Sequence, residues 1–435
     1  MKRLAFTLIV AAFIRPLSAD TFTLSQCIDS ALQNNISLQT QRNQYATQRL
    51  AYNQQKQNLL PSVSGNVGQS WSFGRATGAD NVTITQNMAN TSFGVSANLM
   101  LFDGLGMKYR IDEARATMQA NEAETEKLEA DIRMNISTMY LQVLLNKELL
   151  AVADTQLQTT LFSLNRSREL VNEGRLAEGE FFTLQAQYAR EELSKTQAAN
   201  NLQLSLLNLA QAMNIYQPIE SFDIVTPEPA ELDDSLLPTN NEVYALALQN
   251  RPEIKAAQAK IRAQENAVRG AKSAYSPSLS ASASFGTGYY HNYGGTNDDF
   301  ATQLGNNLST RVGLNLSIPI FDRMQTPNNV SRQKIMLDNM QLQIESTKQT
   351  LRKEIDQAYY NATAAQAQKL SAQKAVNSAQ EALRYAQQKY EAGRASAYEY
   401  NNAKNSYVQA SSQYLQAKYD FIFKLKILKY YQGLL

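Results

Sequence analysis

The sequence predicts an exported chain of mixed α/β class that contains two copies of one helix–strand–strand–helix unit. Three observations support this prediction. Short sequence landmarks recur in the same order in the two halves of the chain. Two runs of more than sixty residues contain almost no helix-breaking residues. Four further segments alternate between apolar and small polar side chains, which is typical of β-strands with one apolar face.

The internal repeat rests on four landmarks. They are Ala31-Leu32-Gln33-Asn34 with Ala247-Leu248-Gln249-Asn250, Pro61-Ser62 with Pro277-Ser278, Phe102-Asp103 with Phe321-Asp322, and Gly174-Arg175 with Gly393-Arg394. The first two pairs share one spacing, and the last two pairs share another that is only slightly longer. Because chance matches would not keep this order and spacing, we infer that one unit is duplicated.

The landmarks predict the domain boundaries. The first repeat is predicted over residues 20–216 and the second over residues 240–435. The linker between them, 217–239, carries four prolines, which oppose helix formation and favour an extended connection. A helix is expected to open each repeat. The elements predicted after it are strands 62–75 and 90–102 with helices 105–173 and 177–214 in the first repeat, and strands 278–291 and 309–321 with helices 328–392 and 396–432 in the second.

The two long helices predict coiled coils. Each helix would be roughly 100 Å long at the rise of an α-helix. In the second one, apolar residues recur every seven positions, at Leu337, Ile344, Leu351, Ala358, Ala365, Ala372, Ala379 and Ala386. A companion row lies three residues before these positions and is interrupted by Lys369. This spacing predicts a left-handed coiled coil, closed by a Gly-Arg turn and the return helix.

The four alternating segments predict strands whose polar face carries mainly Ser, Asn, Gly and Gln. Each segment has roughly 10–14 residues, which suits a tilted transmembrane strand, although a half-buried soluble sheet alternates in the same way. The small polar face favours a water-filled lumen. Aromatic residues collect near both ends of the strands and favour interfacial girdles. They are Trp71, Phe73, Tyr289, Tyr290 and Tyr293 beside the loops, and Phe102 and Phe321 at the other end.

The start of the chain predicts a signal peptide over residues 1–19. Lys2 and Arg3 precede an apolar run, and Ala19 ends a plausible cleavage site before Asp20. After Asp20, no apolar run approaches the roughly 20 residues that a membrane helix requires. We therefore expect a periplasmic protein, a secreted protein or an outer-membrane β-barrel.

The composition argues against several classes of function. The 41 basic and 39 acidic side chains nearly balance, so no nucleic-acid partner is expected. With one cysteine, Cys27, and one histidine, His291, we expect no metal site, no catalytic residues and no cofactor. The remaining alternative to a channel is an exported coiled-coil scaffold protein, which would explain the helices and not the paired strands.

The predicted strand number requires an oligomer if the strands lie in a membrane. Four strands cannot close a barrel, and an open edge in lipid leaves backbone groups unsatisfied. Two copies of the chain would supply eight strands, three copies twelve and four copies sixteen. Side chains fill the interior of an eight-stranded barrel, whereas wider barrels leave a passage.

The ordered motifs also resemble those of a known family. Leu60-Pro61-Ser62, Leu99-Met100-Leu101-Phe102-Asp103-Gly104 and Gly174-Arg175 occur in this order. The second half repeats them with Ser276-Pro277-Ser278, Leu316-Ser317-Ile318-Pro319-Ile320-Phe321-Asp322 and Gly393-Arg394. Over about residues 23–435 the chain resembles the outer-membrane efflux proteins, the TolC-like channel-tunnels.

The resemblance implies a homotrimer. Its twelve-stranded outer-membrane β-barrel, with four strands from each chain, would continue into a long periplasmic α-helical barrel. The implied function is a passive exit duct of a tripartite efflux or type I secretion system. Its partners would be a periplasmic adaptor, an inner-membrane pump and outer-membrane lipid. The duct would open when its inner hairpins untwist.

The resemblance also implies a gate at the periplasmic tip. Counting from the glycines of the two turns, the gate tyrosine is Tyr390, its acidic partner is Glu180, and the first carboxylate of an acidic ring is Glu399. The second ring position holds Asn402, and Arg394 lies one residue before the usual gate arginine position. The tip turns, with Gly174, Arg175, Gly393 and Arg394, are the expected docking points of the adaptor.

Overall fold

The computed structural model describes residues 20–77, 83–85, 87–215, 222–227 and 237–434. The predicted signal peptide and much of the predicted linker lie outside these residues. The helices are α1 (Leu24–Asn34), α2 (Ile36–Gln57), α3 (Gly106–Asn172), α4 (Glu178–Ala212), α5 (Asn240–Asn250), α6 (Pro252–Ser273), α7 (Phe300–Asn306), α8 (Gln325–Glu391) and α9 (Ala397–Gln432). The strands are β1 (Asp20–Phe22), β2 (Ser62–Ser72), β3 (Arg75–Thr77), β4 (Thr83–Thr85), β5 (Met88–Phe102), β6 (Phe222–Ile224), β7 (Ser278–Asn292) and β8 (Ser309–Ser317).

The chain forms two compact units, and each contains residues from both halves of the sequence. Of the described residues, the helical unit comprises 20–40, those within Thr125–Arg251, and 348–434. The strand unit comprises Gln41–Glu124 and Pro252–Thr347. The duplicated sequence therefore builds two mixed units and not one unit for each repeat.

The main sheet of the strand unit is antiparallel and has the order β2-β5-β7-β8. The two repeats meet where β5 pairs with β7. Ala97 lies opposite both Val63 and Ala283, and Ala283 lies opposite Val312. This register gathers the apolar positions of all four strands on one face. That face is open in the single chain, where Val63 is 68% and Val312 is 78% exposed.

The opposite face of the sheet is polar, and its small side chains bond to one another. The hydroxyl oxygens of Ser64 and Ser96, on neighbouring strands, lie 3.0 Å apart. Among the described residues, no strand pairs with the outer edge of β2 or of β8. The sheet is therefore open at both sides, with a row of unpaired backbone groups along each edge.

Two strands end earlier than the alternation predicts. β2 stops at Ser72, just before Gly74, whose φ is +138°. β8 stops at Ser317 although the alternation continues to residue 321. Pro319 has no backbone N–H and cannot donate to a strand ladder, so apolar alternation alone does not extend the strand there.

The loop between β7 and β8, residues 293–308, contains a short helix that its composition did not predict. Asp299 caps α7 by accepting a hydrogen bond from the backbone N–H of Thr302 at 3.2 Å. Gln303, which is 8% exposed, donates to the backbone oxygen of Tyr290 at 2.9 Å. The side-chain oxygen of Gln303 also accepts a hydrogen bond from the backbone N–H of Tyr290 at 2.8 Å. These two bonds fasten α7 to β7.

The long helices α3 and α8 follow from the scarcity of helix breakers. α8 begins at Gln325, earlier than predicted, because Pro327 lies in its first turn, where a missing backbone N–H costs no helical hydrogen bond. Along α8, the heptad position Leu351 and the companion position Ile355 are buried. The interruption at Lys369 also has a structural reason, because its ammonium lies 5.1 Å from the ring centre of Phe421.

The helical segment that precedes the strands is split in both repeats. α1 gives way to α2 at Asn35, and α5 gives way to α6 at Arg251, where the following Pro252 disfavours a continuous helix. Thr23 and Thr239, which occupy corresponding positions of the two repeats, each cap the first of the two helices in a capping box. The matching caps and breaks confirm the predicted internal repeat.

The core of the helical unit fastens part of the predicted linker. β6 pairs in parallel with β1, and the rings of Phe22 and Phe222 lie 5.4 Å apart. On α3, the hydroxyl of Tyr140 donates to the backbone oxygen of Val225, and the ammonium of Lys147 lies 2.6 Å from the carboxylate of Asp223. The composition of the linker predicted its extended backbone and not its pairing.

We expect Gly104→Ala to destabilise the protein more than Gly393→Ala. Both glycines have a positive φ, +68° and +69°. A Cβ on Gly104 would lie 2.5 Å from the Cβ of Ser276, whereas a Cβ on Gly393 meets nothing within 4 Å. Gly393→Ala should cost about 1–2 kcal/mol for its left-handed backbone. Gly104→Ala should add about 1–3 kcal/mol of overpacking. Urea unfolding followed by far-ultraviolet circular dichroism measures both, and equal losses would contradict the predicted steric contact.

Candidate functional site

Two tight turns join the long helices to their return helices in the helical unit. After α3, the backbone N–H of Gly174 donates to the oxygen of Val171 at 2.9 Å, and that of Arg175 donates to the oxygen of Leu170 at 2.8 Å. The turn at Gly393 repeats both bonds, at 3.0 and 2.8 Å. These paired bonds define the Schellman motif, which requires a left-handed residue and explains a glycine in each turn.

The return helices begin with carboxylates. Ser396 caps α9 by accepting a hydrogen bond from the backbone N–H of Glu399 at 3.2 Å. Glu399 lies in the first turn of α9, and Glu178 and Glu180 lie in the first turn of α4. Negative charge is favourable there because a helix N-terminus carries a partial positive charge. Both turns are therefore followed by acidic residues.

Two tyrosines, one near the end of α8 and one near the start of α9, stack on each other. The rings of Tyr390 and Tyr400 stack with centres 5.2 Å apart and planes inclined by 9°. Burial raises the pKa of Tyr390, the negative charge of Glu180 raises it further, and the positive charge of Arg166 opposes the shift. Burial and the charge of Glu391 likewise raise the pKa of Tyr400. Both shifts favour the protonated form of the hydroxyl.

The structure places the residues predicted for the tip in two groups. Glu180 on α4 and Tyr390 on α8 are half-buried and close enough to interact electrostatically. Arg394, Glu399 and Asn402 are exposed in the single chain. The predicted docking residues are exposed as well; they are Gly174, Arg175, Gly393 and Arg394. The structure thus brings one predicted pair together and leaves the other residues at the surface.

Sequence reasoning missed Tyr400, although a signal was present. Apolar and aromatic residues recur every seven positions along α9, at Tyr400, Tyr407, Tyr414, Phe421 and Leu428. Such a row predicts the packed face of a coiled-coil helix. Its first member lies where α9 begins, next to Tyr390 across the turn. The heptad spacing of the long helix thus continues along its return helix and indicates this contact.

The exposed apolar face of the sheet carries aromatic residues at both ends. Trp71 lies opposite Ala89, which lies opposite His291 on the next strand. At the far end, Phe102 lies opposite Leu279. Trp71 and Phe102 are 59% and 44% exposed, so the apolar face ends in accessible aromatic side chains.

The described part of the chain shows few other chemical features. None of its helices combines the length and the apolar character that crossing a membrane requires. Within the same residues, no group of three or more His, Cys, Asp or Glu side chains is arranged to hold a metal ion. Cys27 is fully buried, and burial raises the pKa of its thiol to about 12.

Comparison with known proteins agrees with both the fold and the repeat. The family model described as outer membrane efflux protein matches twice, over residues 27–214 and 243–426. The toxin and drug export protein A of Aggregatibacter actinomycetemcomitans is 22% identical over 411 residues, which are 92% of this chain and 83% of that protein. The two matches of the family model, one in each half of the chain, confirm the predicted repeat.

Solved channels have the same fold. The structure of CusC, described in connection with transmembrane channel formation, matches with a TM-score of 0.78 and 19% identity over 97% of this chain and 95% of that chain. The open state of the MtrE outer membrane channel of Neisseria gonorrhoeae matches with a TM-score of 0.74 and 20% identity over 94% and 89% of the two chains. These matches confirm the predicted channel-tunnel fold class.

The exposed apolar sheet face, the long helical hairpins and the family match over both repeats lead to one conclusion. The chain belongs to the outer membrane efflux protein family, and it is an exit duct of the outer membrane with a large periplasmic portion.

Proposed function

We propose that three copies of this chain form a passive exit duct that accepts substrates from an inner-membrane pump through a periplasmic adaptor. The open four-stranded sheet with its exposed apolar face carries this proposal. In lipid, the unpaired edges of β2 and β8 must find partners, because no water is present to satisfy their backbone groups. A second copy of the chain offers the complementary edge.

Strand direction is compatible with closure by this edge pairing. Successive strands of the sheet are antiparallel, so β2 and β8 run in opposite directions. The β8 edge of one copy can therefore pair antiparallel with the β2 edge of the next. Three copies give twelve strands, the smallest number above the side-chain-filled eight-stranded barrel that four-stranded subunits can supply.

The two faces of the sheet fit lipid on one side and water on the other. The apolar residues, with accessible aromatic residues at both ends of the face, suit contact with outer-membrane lipid. The opposite face carries small polar residues such as Ser64 and Ser96, which suit a water-filled lumen. A passive conduit needs no catalytic residue and no cofactor, and the pump supplies the energy.

The tip residues support a gate and a docking surface in this proposal. Tyr390 beside Glu180 would join the second hairpin to the first in the closed state. Glu399, with Asn402 three residues later, would line the periplasmic entrance, and Arg394 would lie at its rim. The exposed Gly-Arg turns, at Gly174-Arg175 and Gly393-Arg394, would meet the adaptor. A related protein is named for the export of toxins and drugs. We therefore expect the cargo of this duct to be a toxin or a drug, carried in type I secretion or in efflux.

We expect Leu314→Arg to abolish assembly in the outer membrane and Asn315→Arg to preserve it. Leu314, 72% exposed, belongs to the apolar face, and its neighbour Asn315 belongs to the polar face. An arginine facing lipid costs about 2–4 kcal/mol at the bilayer midplane, and the cost recurs in every copy. Membrane fractionation and gel analysis of unheated samples report the assembled oligomer. Equal assembly of the two variants would contradict the assigned faces.

We expect Tyr390→Phe to open the closed duct more often. The change keeps the ring stacked on Tyr400 and removes only the hydroxyl, whose pKa the charge of Glu180 raises. A hydrogen bond from this hydroxyl to Glu180 in the closed duct would contribute about 1 kcal/mol, and its loss corresponds to a rise of roughly fivefold in open probability. Single-channel recording in planar bilayers measures this rise. Tyr385→Phe, at an exposed position of the same helix, is the matched control and should leave gating unchanged.

We expect Glu399→Ala to weaken the block of conductance by divalent cations. Three copies would bring three Glu399 carboxylates to the entrance, where their negative field attracts cations. Titration of Mg²⁺ against the bilayer current should show a blocking concentration raised roughly tenfold. Asp338→Ala, an exposed position at the far end of α8, is the control. An unchanged block in Glu399→Ala would remove this residue from the entrance.

A further inference from the structure

A buried polar cluster joins three helices of the helical unit above the tip turns. Thr160 on α3 is 1% exposed, Glu191 on α4 is 6% exposed and Lys404 on α9 is 4% exposed. Lys404 follows Gly393 by eleven residues and Thr160 precedes Gly174 by fourteen. At the rise of an α-helix the cluster therefore lies about 20 Å from the turns. Neither the sequence patterns nor the predicted gate includes it.

The cluster is a relay of hydrogen bonds between two opposite charges. The ammonium of Lys404 donates to the hydroxyl oxygen of Thr160 at 2.6 Å, and that hydroxyl donates to the carboxylate of Glu191. The ammonium and the carboxylate themselves lie 4.0 Å apart. Thr160 therefore occupies the centre of the relay and contacts both charged groups.

Further amides satisfy the carboxylate. Gln156 on α3 donates to Glu191 at 2.9 Å, and Gln187 on α4 donates to it at 2.6 Å. The same amide of Gln187 also donates to Asn405 on α9 at 3.1 Å. Near the tip, Lys404 and Asn405 of α9 thus both bond to the first hairpin, Lys404 to α3 and Asn405 to α4. Burial lowers the pKa of Lys404, and the charge of Glu191 opposes this shift.

The packing around the cluster is incomplete, which makes its polar links important for holding the helices together. A cavity of about 450 Å³ opens beside it, lined by α3, α4 and α9. The side chains of the three helices therefore leave a gap beside the polar links. The buried charges resist separation of the helices, since each charge is compensated only while the helices stay together.

The second repeat has no equivalent cluster. Aligning the two repeats on Gly174 and Gly393 shows which residues correspond to Lys404, Thr160 and Glu191. They are Gln185, Ala379 and Ala410, respectively. None of these three can carry a charge. The ionic link therefore belongs to the contact between the two hairpins of one chain, and the corresponding contact between neighbouring copies in the proposed trimer would lack it.

We propose that Lys404, Thr160 and Glu191 form a latch, which holds α9 against α3 and α4 in the closed duct and is released on opening. The latch rests on the proposed function, because it acts on the movement that opens the duct. It differs from the pair of Tyr390 and Glu180 in position and in chemistry. Opening separates the charges and returns them to water, so a closed latch and an open, hydrated latch are two discrete states.

The test compares Thr160→Val with Thr159→Val in the full-length protein. Both changes replace a hydroxyl by a methyl group of similar shape, but Thr159 is exposed and bonds only within its own helix, to Thr155. Without the relay, Lys404 and Glu191 lose their shared partner. Thr160→Val should raise the open probability in planar bilayers roughly tenfold, and Thr159→Val should leave it unchanged. Unchanged gating in an assembled Thr160→Val protein would overturn the latch.

A second comparison tests the charge pair itself. Lys404→Met leaves Glu191 buried without its cation and should open the duct roughly tenfold or more. Adding Glu191→Gln removes the unpaired charge and should bring the open probability back towards the wild-type value. Lys424→Met, which removes a half-buried cation of α9 paired with Asp420 on the same helix, is the control. Independent effects of Lys404→Met and Glu191→Gln would contradict their pairing.

Hydrogen exchange distinguishes failure of the proposed latch from failure of the proposed duct. A wild-type protein that carries no current would count against the proposed duct. Exchange of the α9 amides near Lys404 needs no current, and it should become roughly tenfold faster in Thr160→Val than in Thr159→Val. Equal exchange in the two variants would overturn the latch whether or not the protein conducts.

Discussion

The unpaired edges of the four-stranded sheet are the constraint on which the rest of the account depends. Water can satisfy the free N–H and C=O groups of an edge strand, and a bilayer cannot. A chain with one apolar face and two free edges is therefore incomplete in lipid. The register that gathers Val63, Ala97, Ala283 and Val312 on one face creates this requirement. The strands of one chain cannot meet it, so closure requires further copies.

Duplication gives each chain two helical hairpins with the same backbone geometry but different side chains at their contacts. The split helices, the threonine caps and the Schellman turns recur in both repeats, so backbone geometry is shared. The side chains between the hairpins are not shared. Tyr390 stacks on Tyr400, and the charge of Glu180 raises the pKa of Tyr390. The second repeat supplies Lys404 to a cluster in which Thr160 and Glu191 come from the first. A regular ring of helical hairpins can therefore contain contacts of different strength between hairpins. A gate requires this difference.

Features with a sequence period were predictable, and contacts between distant segments were less so. The apolar face of the sheet and the repeat follow from spacing, and the length of α3 and α8 follows from the scarcity of helix breakers. Pairing of β6 with β1 was not predicted, because three-residue strands have no period to detect. The latch was not predicted either, because Lys404 and Glu191 look like solvated helix residues until the three helices are packed. Pro319 and Pro327 show how one residue moves an element boundary that periodicity sets only approximately.

The subunit number tests the account most directly, because closure of the sheet determines the lumen and the number of hairpins around it. Native mass spectrometry of the protein released from a lipid nanodisc measures that number without any assumption about cargo. We predict a complex of three chains and therefore twelve strands. A stable monomer, dimer or tetramer in the membrane would contradict it.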